Sequence, residues 1–419
     1  MTEKKIKILT LSDHPLSPSG VGTQTKYIIE GMLATGRYQF LSFAGAMKHE
    51  DYTPQKTEQW GDDWILAPVD GYGSQDQIRS AIRQQKPDIL WFMTDPRFYG
   101  WLWEIENEIR SLVPMIYYHV WDNYPYPNFN KKFYDSNDFV ACISKVTHDI
   151  VKTVSPTVDS QYVPHAVNPE FFKKLDDDAV QQFRNTHLSD PNKMVFFWNN
   201  RNARRKQSGT LIFWFKEFLD KVGHDKACLI MHTEPKDVHG QDLEHIMFEL
   251  GLKNGEVMLS REKLPPEGMA MMYNMADCTI NISDAEGFGL ATLESLACET
   301  PIIVNMTGGL QEQVTDGDNW FGFGIEPCSK AVIGSQEVPY IYEDRISKDD
   351  FVNTLTNFYN LTKEERSELG RLGAEYVSKN YNFDDFISRW DRILTETHEK
   401  WGSWSTRTGY KPYTFSEIT

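Results

Sequence analysis

The sequence predicts an α/β protein made of two Rossmann-like domains, each a parallel sheet interleaved with helices. Three observations carry this expectation. Short β-rich runs alternate with helix-like segments, a rhythm that belongs to parallel sheets rather than to hairpins. The rhythm runs from the N-terminus to about residue 165, gives way to a polar, charged stretch over residues 169–192, and restarts at Met194. The length, 419 residues, also exceeds the roughly 100–200 residues of a single domain.

The first strand candidate is KIKILTLS, ending at Ser12, followed by the Pro/Gly/Ser loop DHPLSPSGVG and a helix-like TKYIIEGMLATG. Strand, glycine loop and helix in that order form one α/β step. A helix-like DQIRSAIRQQ and the loop residues Lys86 and Pro87 lead into a strand over Asp88–Met93. Pro114–Val120, Asp138–Ser144 and Gln161–His165 read as further strands. Residues 169–192, with a proline near each end, read as a linker. In the second half, strands are expected from Met194, Ala227, Glu256, Asp277 and Pro301. Helices are expected after Gly209, at DLEHIMFELGL, at MAMMYNMA and near Leu290. Beyond about residue 350 the chain is helix-like, and the last 15 residues look irregular. The expected division is residues 1–175, 190–383 and a C-terminal helix with its tail, 384–419.

Composition narrows the class of function. With 40% hydrophobic and 25% charged residues the chain can bury a sizeable core. Lys and Arg number 43 against 60 Asp and Glu, a formal charge of −17 that opposes broad adhesion to nucleic acid or anionic lipid. A basic site must therefore be local. The five cysteines are widely spaced, with no C-x-x-C pair and no cluster at zinc-finger spacing, so a reducing cytoplasm is the expected location. The N-terminal residues lack an apolar stretch of signal-peptide length, and runs such as MIYYHVW from Met115 fall well short of the ~20 residues that span a membrane. No stable membrane insertion is expected, and peripheral contact with a membrane stays open.

Two stretches carry chemistry. Ser283–Val314 places Glu286 just after a strand, Gly287 and Gly289 around Phe288, then a helix beginning near Leu290 that carries Glu294. Glycines at such a turn let backbone N–H groups approach a ligand, and a helix N-terminus suits a phosphate. The bland alternative makes Glu286 a helix cap and Glu294 a surface residue. Phe196–Gln207 ends a predicted strand in Arg201, Arg204, Arg205 and Lys206, a concentrated positive site placed for a diphosphate at the edge of a parallel sheet. Its alternative is a solvated basic turn. His119 ends an apolar strand and by itself reads as a core histidine. The aromatic loop WDNYPYPN after it reads as surface-exposed, a candidate for acceptor contact. Asp316-Gly317-Asp318 formally gives the D-x-D of metal-dependent sugar transferases, yet its setting reads as a turn.

The pattern E-G-F-G-x-x-x-x-E from Glu286, with P-I-I-V and G-G-L-x-E (Gly308 to Glu312) after it, resembles the E-x7-E region of the family 4 retaining glycosyltransferases of GT-B fold. Arg201 and Lys206, five apart after a strand, are similar to that family's phosphate-binding Arg and Lys. VPHAVNPEFF resembles the segment at its domain junction, and the loop Ser19–Gly22 and His119 complete the set in the family's order. Departures are Ser19 for the first loop glycine, His165 for an asparagine, and Asn200 and Gln207 for glycines beside the Arg and Lys.

The resemblance implies two domains facing across a cleft, with the C-terminal helix crossing back to the N-terminal domain. It implies retaining transfer of a sugar from a nucleotide-sugar donor to an acceptor hydroxyl. Arg201, Lys206 and the N–H groups near Gly289 and Leu290 would hold phosphate, Glu294 the ribose and Glu286 the sugar. Gly20 and His119 would lie on the acceptor side. No metal or other cofactor is then required. Lipid, glycan, protein, small-molecule and modified-nucleobase acceptors all stay open. The competing classes are a nucleotide-sugar epimerase of GT-B architecture and a non-catalytic sugar-nucleotide-binding module.

Overall fold

The computed structural model describes residues 4–411, so residues 412–419 of the expected irregular tail lie outside the described residues. The chain forms two compact units. The first comprises residues 4–121, 126–165 and 384–411, and the second residues 122–125 and 166–383.

The first unit is built on an eight-stranded sheet. Its strands are β1 (Ile6–Asp13), β2 (Tyr38–Gly45), β3 (Gln55–Thr57), β4 (Gly61–Pro68), β5 (Ile89–Thr94), β6 (Met115–His119), β7 (Phe139–Cys142) and β8 (Ser160–Tyr162), in the order β3-β4-β2-β1-β5-β6-β7-β8. All neighbours are parallel except β3 with β4. Every residue of β5 and β6 is buried, which is why these strands are unbroken apolar runs rather than alternating ones. The C-terminal helix Phe383–Trp401 packs into this unit through Trp390, whose ring meets those of Trp91 and Tyr118 edge-on at 5.7 and 4.8 Å. Asp391 accepts a hydrogen bond from the Tyr38 hydroxyl at 2.6 Å.

The second unit carries a six-stranded parallel sheet of β9 (Met194–Asn199), β10 (Ala227–His232), β11 (Val257–Ser260), β12 (Cys278–Asn281), β13 (Ile302–Asn305) and β14 (Gly322–Ile325), ordered β11-β10-β9-β12-β13-β14. A separate antiparallel hairpin, β15 (Ser329–Ile333) with β16 (Ile341–Arg345), follows. Phe196, Phe215, Phe218, Phe351 and Phe358 fill the core between sheet and helices.

Two expectations are corrected. The stretch 169–192 is not a bare linker: it contains the helix Asp177–His187 and belongs to the second unit. Asp176 caps that helix by accepting from the Ala179 N–H at 3.1 Å, and Arg184 reaches Asp277 at 3.3 Å, so side-chain bonds hold a helix whose buried residue is Val180. The aromatic loop after His119 does not expose all its rings. Trp121 is 4% exposed, stacked beside His119 and edge-on to Phe129, whereas Tyr126 is exposed.

Candidate functional site

Parallel sheets gather the strand-to-helix turns at one edge, where ligands of α/β proteins bind. In the second unit the turns after β9, β12 and β13 lie there. The turn after β9 runs through Arg201 into a 3-10 turn at Arg204–Lys206 and then the helix Ser208–Val222. The turn after β12 carries Glu286 and leads to the helix Leu290–Ala297.

Lys206 and Glu286, 80 residues apart, are both buried and form an ion pair. Asn281 at the end of β12 donates to the same Glu286 oxygen at 3.4 Å, and the Ser283 hydroxyl lies 3.5 Å from it. Burial works to raise the Glu286 carboxyl, but Lys206 and Arg205 outweigh it and leave the group below the usual carboxylate range. Burial, with Arg205 adding its positive charge, brings the Lys206 ammonium down to about 8 despite Glu286.

Gly289 begins the helix Leu290–Ala297 at φ +94°, and a Cβ there would lie 2.6 Å from Leu310, so this turn admits only glycine. No side chain caps this helix. Its first N–H groups, around Leu290, therefore keep the donor capacity that a helix N-terminus has toward an anion. Gly308, at φ +50°, packs so tightly that a Cβ would meet the Glu286 carbonyl oxygen at 1.8 Å, while the Gly309 N–H donates to that oxygen at 3.0 Å. The G-G-L segment thus fixes the backbone of Glu286. Glu294 accepts from the Tyr273 hydroxyl at 2.7 Å, and that hydroxyl accepts from Asn199 at the end of β9. Burial pushes the Glu294 carboxyl up to about 7, with Tyr273 opposing.

Arg201 does not join this cluster. Its side chain is 61% exposed and paired with Asp237 at 2.7 Å. Gly20 and His119 lie in the first unit. Gly20 is the first residue of the helix Gly20–Ala34, which Ser19 caps by accepting from the Gly22 N–H at 2.9 Å while donating to Asp13 at 2.6 Å. The departure at Ser19 is thus a capping hydroxyl. His119 ends β6 fully buried, with Nδ1 3.2 Å from the Tyr117 hydroxyl and Nε2 3.1 Å from that of Tyr134. Burial brings the imidazole down to about 3, so it is neutral.

Residues 181–355 match the family model described as glycosyl transferases group 1. This segment is a glycosyltransferase domain. The chain is 22% identical over 264 residues to N-acetyl-alpha-D-glucosaminyl L-malate synthase of Bacillus anthracis, covering 62% of this chain and 60% of that protein. It is 28% identical over 158 residues to D-inositol 3-phosphate glycosyltransferase of Corynebacterium jeikeium, 37% of each chain. The chain thus spans less than two thirds of these curated relatives. Sucrose-phosphate synthase of Thermosynechococcus elongatus superposes with a TM-score of 0.75 at 14% identity, over 94% of this chain and 100% of that one. The fold is GT-B.

In the glycosyltransferase domain the sequence reading missed Tyr273 and Asn199, which meet Glu294, and Asn281, which meets Glu286. Asn199 and Asn281 each end a strand of the sheet, a position that signals proximity to a site; Tyr273 lies inside a helix and gives no such signal. Asp316-Gly317-Asp318 forms a turn in which Asp316 accepts from the N–H groups of Asp318 and Asn319 at 3.0 and 2.7 Å. Among the described residues no group of three His, Cys, Asp or Glu is arranged to hold a metal ion, and no helix is long and apolar enough to cross a membrane.

Proposed function

We propose that the chain transfers a sugar from a nucleotide-sugar donor to an acceptor hydroxyl with retention of anomeric configuration. The observation that carries this reading is the buried Lys206–Glu286 pair beside the uncapped helix at Leu290, inside the glycosyltransferase domain. The charges suit a diphosphate and a sugar. Lys206 and the N–H groups at Gly289 and Leu290 bind the diphosphate, and Arg201 exchanges Asp237 for a phosphate oxygen. Glu294 accepts from ribose hydroxyls and Glu286 from the sugar.

The chemistry follows from where charge develops. As the bond from the anomeric carbon to the phosphate oxygen breaks, negative charge grows on the diphosphate and positive charge on the sugar. Lys206 and the helix N-terminus stabilise the first more strongly in the transition state than in the ground state. The acceptor oxygen bonds to the anomeric carbon from the same face, and its proton passes to the leaving phosphate oxygen. Positive groups of the protein replace a metal in this scheme. Gly20 and His119, in the first unit, are the residues proposed for acceptor contact. Any ligand contact from His119 requires exchange of one of its two tyrosine hydrogen bonds. A cytoplasmic location suits the five free cysteines.

Purified protein is screened against nucleotide sugars by thermal shift, since a ligand bound by the native state alone raises stability. The cognate donor is then incubated with hydroxylated acceptors, beginning with small anions such as those in the names of the two relatives. An α-linked donor is expected to give an α product by proton NMR, with donor consumed only when acceptor is present and with activity persisting in chelator. A β product overturns retention, and donor conversion without acceptor marks an epimerase.

A further inference from the structure

The hairpin β15–β16 is tied to both halves of the candidate site. The Asp344 N–H donates to the Asp284 carbonyl at 2.8 Å, and the Thr307 hydroxyl donates to the Asp344 carboxylate at 2.7 Å. Asn305, at the end of β13, donates from one amide nitrogen to the carbonyls of Ser283 and Asp344, at 2.9 and 3.0 Å. The hairpin therefore rests on the turns after β12 and β13.

Its charged side chains make a longer chain of contacts. Glu343 is 2% exposed and accepts from Arg204 at 2.9 Å and from Arg345, also at 2.9 Å. The other face of Arg345 meets Asp284 at 2.8 Å. Asp284 in turn accepts from the Gln207 amide. Gln207 is left-handed at φ +56°, a conformation unusual without glycine, and Thr210 also donates to its side chain, at 2.6 Å. Arg204 stands two residues before Lys206, and Asp284 two residues before Glu286. The network thus begins beside one member of the central ion pair and ends beside the other, while touching neither.

We propose that Glu343 is a positioning residue of the donor site: acting through Arg204 and Arg345, it sets the placement of Lys206 against Glu286. This rests on the donor reading given above. A buried carboxylate held by two guanidiniums is costly unless its partners are fixed, so the network holds the turn after β9 and the turn after β12 in one register. A transition state that needs both groups in place is sensitive to that register, whereas ground-state nucleotide binding is less so.

The test is Glu343→Gln, which preserves shape and removes the charge, read by backbone hydrogen exchange and by kinetics. Exchange in residues 203–207 and 283–287 is expected to accelerate about tenfold, with strands β9, β10, β12 and β13 unchanged. With cognate donor, kcat is expected to fall about tenfold with less than about a threefold change in donor KM. In a Lys206→Met background that loss is expected to shrink below about threefold, because the residue it acts through is gone. Unchanged exchange in both turns overturns the proposal, as does an equal loss of kcat in both backgrounds. If wild-type protein engages no nucleotide sugar, the donor reading fails while the exchange experiment still decides the positioning role.

Discussion

Lys206→Met is expected to lower transfer by about 10²–10³-fold, the loss typical when one preorganised partner of a developing oxyanion is removed. The size follows from placement: Lys206 is buried and already held by Glu286, so little side-chain entropy is lost when charge develops beside it. Arg201→Ala should cost less, because Arg201 is solvated and already shares its charge with Asp237. Lys206→Met also strands Glu286 in the interior, and breaking a buried pair from one side costs about 3–5 kcal/mol of stability. The double variant Lys206→Met/Glu286→Gln should regain much of that stability and none of the activity. Thermal unfolding beside steady-state kinetics checks both statements. Full activity in Lys206→Met removes the lysine from the mechanism.

The pH dependence carries its own sign. With the ammonium at about 8 in the free protein, kcat/KM should decline as pH rises through about 8, since the neutral amine no longer opposes phosphate charge. The contribution of the same group to stability runs the other way. Between about 8 and the ordinary 10.5 the unfolded chain binds more protons at this lysine than the folded one, so stability gains with pH across that window. A loss of activity above pH 8 that merely tracks unfolding would contradict the assignment.

How much of this was legible depends on burial. DILWFM, PMIYYHV, ACLIMHT and PIIVNM were readable as strands because they lie in sheet interiors, covered on both faces, and so are continuous apolar runs. YQFLSFAG and GDDWILAP, which form β2 and β4, do not read as strands, because Gln39, Asp62 and Asp63 interrupt their apolar pattern. The hairpin strands SKAVI and IYEDR carry Lys, Glu, Asp and Arg at positions that a periodicity reading assigns to solvent. Glu343 is nonetheless buried, because Arg204 lies 139 residues away in sequence and at hydrogen-bond distance in space. Long-range charge pairing leaves no local pattern. Glu286 and Lys206 were found through motif spacing, but that they bond each other was visible only in the fold.

The bond between Lys206 and Glu286 sharpens what the two carboxylates should do when removed. Glu294→Ala is expected to weaken free nucleoside diphosphate by about 1.5–3 kcal/mol, the range for a hydrogen bond to a charged group. Its carboxyl lies near 7, so at pH 8 the ionised form is available to accept from ribose hydroxyls. Glu286→Gln should behave oppositely. It removes the sugar contact and lowers kcat, yet it also frees the Lys206 ammonium from its carboxylate partner. Glu286 also holds the proton on Lys206 against burial, so its loss frees the ammonium for phosphate but lets it deprotonate more readily. The two effects oppose, and nucleoside diphosphate affinity should hold steady while turnover falls. Isothermal titration of nucleoside diphosphate into each variant, set beside kcat for the cognate donor, separates the two. Equal weakening of nucleotide binding by both substitutions would reject the division of labour, since it would place both carboxylates on the nucleotide and leave the sugar without its acidic partner.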